Sequence, residues 1–111
     1  MEIKGMKLSK SIIGQEEIDA VTDVLQRGYL GMGQDVMKFE EELECFFQRN
    51  VTLVNTGTAA LHLALQGVGI GWGDEVLVQS LTYVACFQAI KATGATPVAC
   101  EVCDASLTLD L

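Results

Sequence analysis

An apolar run followed by a polar turn and a helix-forming run constrains the fold of this chain more than any other stretch. Val51–Val54 is typical of a buried strand, and Asn55 and Gly57 after it indicate a tight turn. Thr58 is the predicted N-cap of a helix over 58–66, because strong helix formers follow it. This order leaves backbone N–H groups unpaired at the helix start, with the helix dipole behind them.

A turn of this kind is a candidate anion site, and phosphate is its usual ligand. Gly57 lets the backbone approach a ligand closely, and the hydroxyl groups of Thr56 and Thr58 can add donors. The stretch is not a Walker A loop, because no Gly-Lys-Ser/Thr follows, and it lacks the dinucleotide pattern G-x-G-x-x-G. From these residues alone, an ordinary strand-to-helix turn that binds nothing is an equally good interpretation.

Length and composition fit one small globular domain with one core. The chain has 111 residues, 50% of them hydrophobic, and its net charge is -8. Acids gather in segments such as Glu40–Glu42 and no basic patch is present, so neither nucleic acid nor a membrane surface is an expected partner. No apolar run approaches membrane-spanning length and Met1–Gly5 lacks a signal-peptide core, so we expect a cytoplasmic protein.

Two of the four cysteines, Cys100 and Cys103, have the C-x-x-C spacing of redox and metal sites. They fall in or just after a predicted strand at 96–102, where side chains three residues apart point to opposite faces. No second C-x-x-C completes a zinc site. We therefore expect no metal site and interpret the cysteines, which also include Cys45 and Cys86, as buried free thiols.

Two helices are predicted ahead of the first strand, at 15–27 and at about 35–48, from apolar residues at helical spacing. Gly28 is expected to end the first helix, because glycine is favoured at the C-terminal cap. Lys38 and Glu42 are expected to pair across one turn of the second helix.

The rest of the chain predicts strands at 75–78 and 96–102, with a helix at 82–92 that ends at Gly94. Together with 51–54 this gives three apolar strands that alternate with helices, which is typical of a parallel sheet with right-handed crossovers. Ligands of such sheets bind at the carboxyl ends of the strands. The segments after the first two strands are therefore expected to converge on one pocket.

Three segments in order resemble one enzyme family. Asn55–Leu65 (N-T-G-T-A-A-L-H-L-A-L), Gly73–Ala85 (G-D-E-V-L-V-Q-S-L-T-Y-V-A) and Gly94–Val98 (G-A-T-P-V) are similar to the sugar aminotransferases of the DegT/DnrJ/EryC1/StrS family. Gly31–Glu40 also resembles an early segment of that family. The resemblance spans nearly the whole chain. In two places the chain departs from the family pattern, with Gln79 at a usual Pro and Cys103 at a usual Asp.

The resemblance implies an α/β fold with three layers and a mostly parallel sheet, that of the pyridoxal-phosphate-dependent transferases of fold type I. This chain is expected to be the amino-terminal part of the large domain. Residues 1–50 would form an amino-terminal helical segment, and residues 51–111 would form the incomplete start of the cofactor-binding domain. The implied cofactor is pyridoxal phosphate.

The family implies roles for four residues. Gly57, Thr58 and Ala59 match the turn that holds the cofactor phosphate, and Tyr83 matches the aromatic that stacks on the pyridine ring. His62, the single histidine, is interpreted as a hydrogen-bonded structural residue. No catalytic residue is implied, because the Schiff-base lysine and the carboxylate on the pyridine nitrogen lie beyond position 111 in family members. The chain alone is therefore expected to be inactive.

The implied activity of the complete enzyme is transfer of an amino group from glutamate to a nucleotide-linked keto sugar, in the biosynthesis of cell-surface polysaccharide or lipopolysaccharide. Family members pair as homodimers. Two alternatives stay open: a sugar dehydratase of the same family, in which the lysine is replaced, and a non-catalytic remnant that binds phosphate compounds or a partner chain.

Overall fold

The computed structural model of the chain describes residues 10–109. They form two compact units, one ending at Val51 and one beginning at Thr52, which are described separately. Residues 1–9 of the predicted amino-terminal segment lie outside the described part. Within that part, no helix is both long and apolar enough to cross a membrane.

The first unit contains helix α1 (Gln15–Arg27), whose predicted bounds are confirmed. The backbone N–H of Gly14 donates to Oε2 of Glu17 at 2.7 Å, which stabilises the start of the helix. Gly28 ends it in the left-handed conformation, with φ of 73°, as predicted. The Arg27 guanidinium then contacts Asp35 at 2.8 Å, and this ion pair raises the pKa of Arg27.

Helix α2 (Gln34–Phe47) lies within one residue of its predicted bounds. Gln48 follows it with φ of 52°, a left-handed conformation usual for glycine, and its side-chain amide donates to the carbonyl of Cys45 at 2.6 Å. The predicted Lys38–Glu42 pair is confirmed at 3.8 Å, but both side chains are exposed and the pair contributes little.

The second unit is an α/β arrangement, which confirms the predicted fold class. It contains α3 (Gly57–Gly67), β1 (Glu75–Gln79), α4 (Ala85–Thr93) and β2 (Thr96–Cys100). The two strands are parallel neighbours, and α4 is the crossover between them. A hydrogen bond of 2.8 Å from the Ser80 N–H to the Cys100 carbonyl extends the pairing past the carboxyl end of β1.

The core lies where α4 packs on the two strands. Val78 of β1, Ile90 of α4 and Ala95 form its buried centre. Partly buried side chains surround this centre; they are Leu65, Ile70, Val76, Cys86 and Phe87. This core fixes the end of β1 relative to the start of α4, and so determines where the turn between them lies.

Three predicted elements differ from the structure. Residues 51–54 are not a strand, and the sheet formed by residues 10–109 consists of β1 and β2. β2 ends at Cys100 instead of 102, since Cys100 is already level with Gln79, the last residue of β1. α4 begins at Ala85 instead of 82, because the Cys86 N–H donates to the Tyr83 carbonyl in a tight turn that precedes the helix.

We predict that Gly94→Ala destabilises the second unit. Gly94 has φ of 93° at the end of α4, a region that an L side chain enters at a cost of about 1–3 kcal/mol. A Cβ atom there would also lie 2.7 Å from Cδ1 of Trp72, although this exposed indole can move aside. Urea unfolding followed by Trp72 fluorescence measures the change.

Gly67→Ala is the matched control. Gly67 ends α3 without a positive φ, and a Cβ atom there meets nothing within 4 Å. Alanine favours a helix over glycine, so this variant should be at least as stable as the parent. Equal stability of Gly94→Ala and the parent would contradict the explanation.

Candidate functional site

The N-cap of α3 is Thr56 and not Thr58, so the predicted cap was wrong by two residues. Thr56 is extended, with φ of -150° and ψ of 152°, and its Oγ1 accepts a hydrogen bond from the Ala59 N–H at 3.0 Å. Its carbonyl accepts from the Ala60 N–H at 3.1 Å. Thr56 therefore caps the helix, and the helix begins at the next residue, Gly57.

This cap leaves two of the three predicted phosphate donors available. Within the described part of the chain, the backbone N–H groups of Gly57 and Thr58 have no hydrogen-bond partner. The Ala59 N–H, by contrast, is already bonded to Thr56. The free donors lie in the first turn of an 11-residue helix, where the dipole adds partial positive charge.

Gly57 has open space where a side chain would be. A Cβ atom built on it meets nothing within 4 Å. The packing of the chain therefore gives no reason for glycine here, although glycine is among the poorest helix formers. Close approach of a ligand to the backbone would explain it.

An open groove of about 680 Å³ runs between α3 and the turn before α4. Gly57, Thr58 and Tyr83 all line it, so the structure brings these three predicted site residues together. Ala59 is not among the lining residues. The remaining lining side chains are small or apolar: Ala60, Leu61, Ala64, Ala85 and Cys86.

The structural reason why Gly57, Thr58 and Tyr83 meet in one groove differs from the predicted reason. The groove does not need two neighbouring strands, because 51–54 is not part of the sheet. It forms because α3 packs along α4, which brings the start of α3 beside the turn that follows β1.

Tyr83 is mostly exposed, at 77% of its surface, so its ring is accessible to a ligand in the groove. The described lining contains no charged side chain and no lysine. Attraction of an anion therefore depends on the backbone donors and the dipole of α3.

His62 lies on α3 but does not line the groove. Its Nε2 is buried and, within the described residues, has no hydrogen-bond partner. The interpretation of His62 as a hydrogen-bonded structural residue is therefore wrong at this nitrogen.

Cys86 lines the groove but was not predicted from the sequence as a site residue. Its Sγ lies 3.3 Å from Oγ1 of Thr82, within hydrogen-bond distance for sulfur. The available signal was the spacing, since a polar residue four positions ahead of a cysteine near a helix start can reach it.

The C-x-x-C cysteines are both free thiols, as predicted, but they are half-buried instead of buried, as is Cys86, and Cys45 is exposed. Cys100 donates to the Val98 carbonyl at 3.6 Å. Hydrogen bonds from the backbone N–H groups of Ala105 and Ser106 lower the pKa of Cys103, and the bond from Ala105 has the larger effect. Among residues 10–109, no group of three or more His, Cys, Asp or Glu side chains could hold a metal ion.

Comparison with known proteins places these features in one family. The DegT/DnrJ/EryC1/StrS aminotransferase family matches residues 11–111. The spore coat polysaccharide biosynthesis protein SpsC of Bacillus subtilis is 43% identical over 92% of this chain and 26% of its own length. The dTDP-3-amino-3,4,6-trideoxy-alpha-D-glucose transaminase of Streptomyces venezuelae is 45% identical over 86% of this chain and 27% of its own.

Solved structures agree with the sequence comparison. Spr1654 of Streptococcus pneumoniae, known in PLP and PMP forms, superposes with a TM-score of 0.83 at 34% identity, over 95% of this chain and 27% of that one. DesV of S. venezuelae gives a TM-score of 0.71 at 44% identity, over 86% and 26%. The chain thus spans about a quarter of the length of these relatives. It belongs to the DegT/DnrJ/EryC1/StrS aminotransferase family.

Proposed function

We propose that this chain supplies the phosphate-binding turn and the ring-stacking residue of the pyridoxal phosphate site of a nucleotide-sugar aminotransferase. The observation that carries the proposal is the meeting of two unpaired backbone donors, at Gly57 and Thr58, with Tyr83 in one groove. The amino transfer itself is proposed for a protein of the relatives' full length, because the chain spans 26% of SpsC.

The groove fits the cofactor in both chemistry and size. Phosphate carries oxygen acceptors that suit the two free N–H groups and the dipole of α3. The open space at Gly57 lets a phosphate oxygen approach the backbone. A volume of about 680 Å³ is within the range of small-molecule sites.

Each part of the groove has one task in this proposal. Gly57 and Thr58 bind the phosphate, while Tyr83 stacks on the ring and fixes its plane. Apolar side chains such as Leu61 exclude water from beneath the ring. Bound pyridoxal phosphate supplies an aldehyde that accepts and returns an amino group, and a ring that withdraws electrons. Ala59 contributes through the cap, since its N–H holds Thr56 in place.

The proposed substrates are a nucleotide-linked keto sugar and glutamate as amino donor. Support comes from the names of relatives, which include a dTDP-sugar 4-aminotransferase of Saccharopolyspora spinosa and the GDP-perosamine synthase of Escherichia coli O157:H7. SpsC supports a place in polysaccharide biosynthesis. A cytoplasmic location and a homodimer complete the proposal.

A second candidate is a phosphate-binding module without transfer activity. It needs only the two free backbone donors at Gly57 and Thr58 and the dipole of α3, all of which act on the phosphate. Binding separates the two readings, since a phosphate module gains nothing from the pyridine ring. Pyridoxamine phosphate is the best probe, because it lacks the aldehyde that would react with surface lysines.

We predict that Gly57→Ala weakens binding of both inorganic phosphate and pyridoxamine phosphate, by roughly ten- to a hundredfold. The new Cβ atom occupies the approach to the free donors, and one lost charge-assisted hydrogen bond costs about 1.5–3 kcal/mol. Isothermal titration calorimetry measures both ligands. Gly67→Ala, at the other end of α3, is the control that should bind as the parent does.

Folding stability separates this effect from damage to the helix. Gly57→Ala should not unfold more readily than the parent, because the Cβ atom enters open space. Unchanged affinity for both ligands in a folded variant would sink the phosphate assignment.

We also predict that Tyr83→Ala weakens pyridoxamine phosphate and leaves inorganic phosphate unaffected. Stacking of aromatic rings contributes about 0.5–1.5 kcal/mol beyond burial, which corresponds to roughly two- to tenfold in affinity. Tyr83→Phe keeps the ring and should bind as the parent does. If the alanine variant weakens both ligands equally, Tyr83 does not act through stacking.

A further inference from the structure

We propose that Thr82 and Cys86 form a latch that holds Tyr83 at the edge of the groove, so that both are positioning residues for the cofactor ring. The latch is the hydrogen bond between Oγ1 of Thr82 and Sγ of Cys86, at 3.3 Å. This inference rests on the proposed function, because it concerns the residue that stacks on the ring.

Packing against other side chains does not fix the ring of Tyr83, so a hydrogen bond within the turn can determine its position. The side chain is 77% exposed, and the next residue, Val84, is 54% exposed. The position of the ring therefore follows the backbone of the turn that carries it. Any contact that closes this turn restricts where Tyr83 can lie.

Cys86 provides a fixed point on the far side of the turn. It packs against the buried cluster of Val78, Ile90 and Ala95, so the core holds its side chain. It follows Ala85, which is itself buried at 7% exposure. Because Cys86 also lines the groove, it joins the core directly to the site.

The turn is closed around Tyr83 from both sides. The Thr82–Cys86 bond spans it through side chains, and the Cys86 N–H donates to the Tyr83 carbonyl at 3.1 Å through the backbone. The backbone bond belongs to the entrance of α4 and requires no particular side chain. The side-chain bond is therefore the part that substitution can remove selectively.

Gln79 holds the other end of the same turn. Its side-chain amide donates to the Leu81 carbonyl at 2.9 Å, and the Ser80 N–H donates to Cys100 at 2.8 Å. Since β1 fixes Gln79 and the core fixes Cys86, the segment between them is bounded at both ends. The hydrogen bond of Thr82 to Cys86 connects the middle of the turn to the end that the core fixes.

The latch has a consequence specific to the ring. A Tyr83 held in place loses less freedom when a ring binds, so the latch should strengthen binding of pyridoxamine phosphate. It should not affect inorganic phosphate, which needs only the donors at Gly57 and Thr58. A general loss of structure would weaken both ligands together.

The test compares Thr82→Val, Cys86→Ala and Cys86→Ser, with Cys45→Ala on the exposed surface of α2 as a matched cysteine control. Thr82→Val and Cys86→Ala should each weaken pyridoxamine phosphate binding about twofold, less than Tyr83→Ala does, leave inorganic phosphate unchanged, and speed hydrogen exchange of the amide at position 86, whose N–H donates to the Tyr83 carbonyl. Cys86→Ser keeps a hydroxyl at the latch and should restore both readings. Cys45→Ala should match the parent.

Unchanged exchange of the position-86 amide in Thr82→Val and Cys86→Ala would overturn the latch. So would equal weakening of both ligands, or failure of Cys86→Ser to rescue. A parent chain that binds inorganic phosphate but gains nothing from the ring overturns the proposed cofactor. The latch as a restraint on Tyr83 is then decided by hydrogen exchange alone, where faster exchange supports it and unchanged exchange removes it.

Discussion

The packing of α4 across the parallel pair β1 and β2 is the interaction on which the rest of the second unit depends. It buries Val78, Ile90 and Ala95, which form the centre of the core. Burial of such side chains is the main source of stability in a small domain. The same contact determines where the chain leaves β1 and how it turns into α4. Without it, neither the turn that carries Tyr83 nor the groove beside α3 would have a defined shape.

Local sequence signals predicted most of this architecture and missed the parts that depend on distant partners. α1 and the glycines at 28 and 94 follow from helical periodicity and backbone conformation, which neighbouring residues decide. The segment 51–54 has a strand's composition but lies outside the sheet of the described residues, because membership of a sheet depends on segments far along the chain and composition is local. The N-cap was misplaced because two threonines flank Gly57, and only geometry shows which one reaches the Ala59 N–H.

In the candidate site, too, the sequence predicted local features and missed those that depend on packing. The family motif pointed to Gly57, Thr58, Ala59 and Tyr83, and the structure places all of them except Ala59 on one groove. The motif could not show that the Ala59 donor is already used, or that Cys86 joins the groove to the core. Both facts arise from how α3 and the turn before α4 pack and bond. With no charged side chain in the described lining, binding of an anion in this groove would depend on the backbone donors and the dipole of α3.

The central claim is that one groove holds both the phosphate and the ring of the cofactor. Titration of the 15N-labelled chain with pyridoxamine phosphate, followed by amide NMR, tests it most directly. The account predicts that the largest shift changes fall at Gly57 and Thr58 and, in the same saturating step, at Tyr83. Changes confined to Gly57 and Thr58 would leave only a phosphate site, and changes centred elsewhere, such as around Lys91 at the end of α4, would contradict the account.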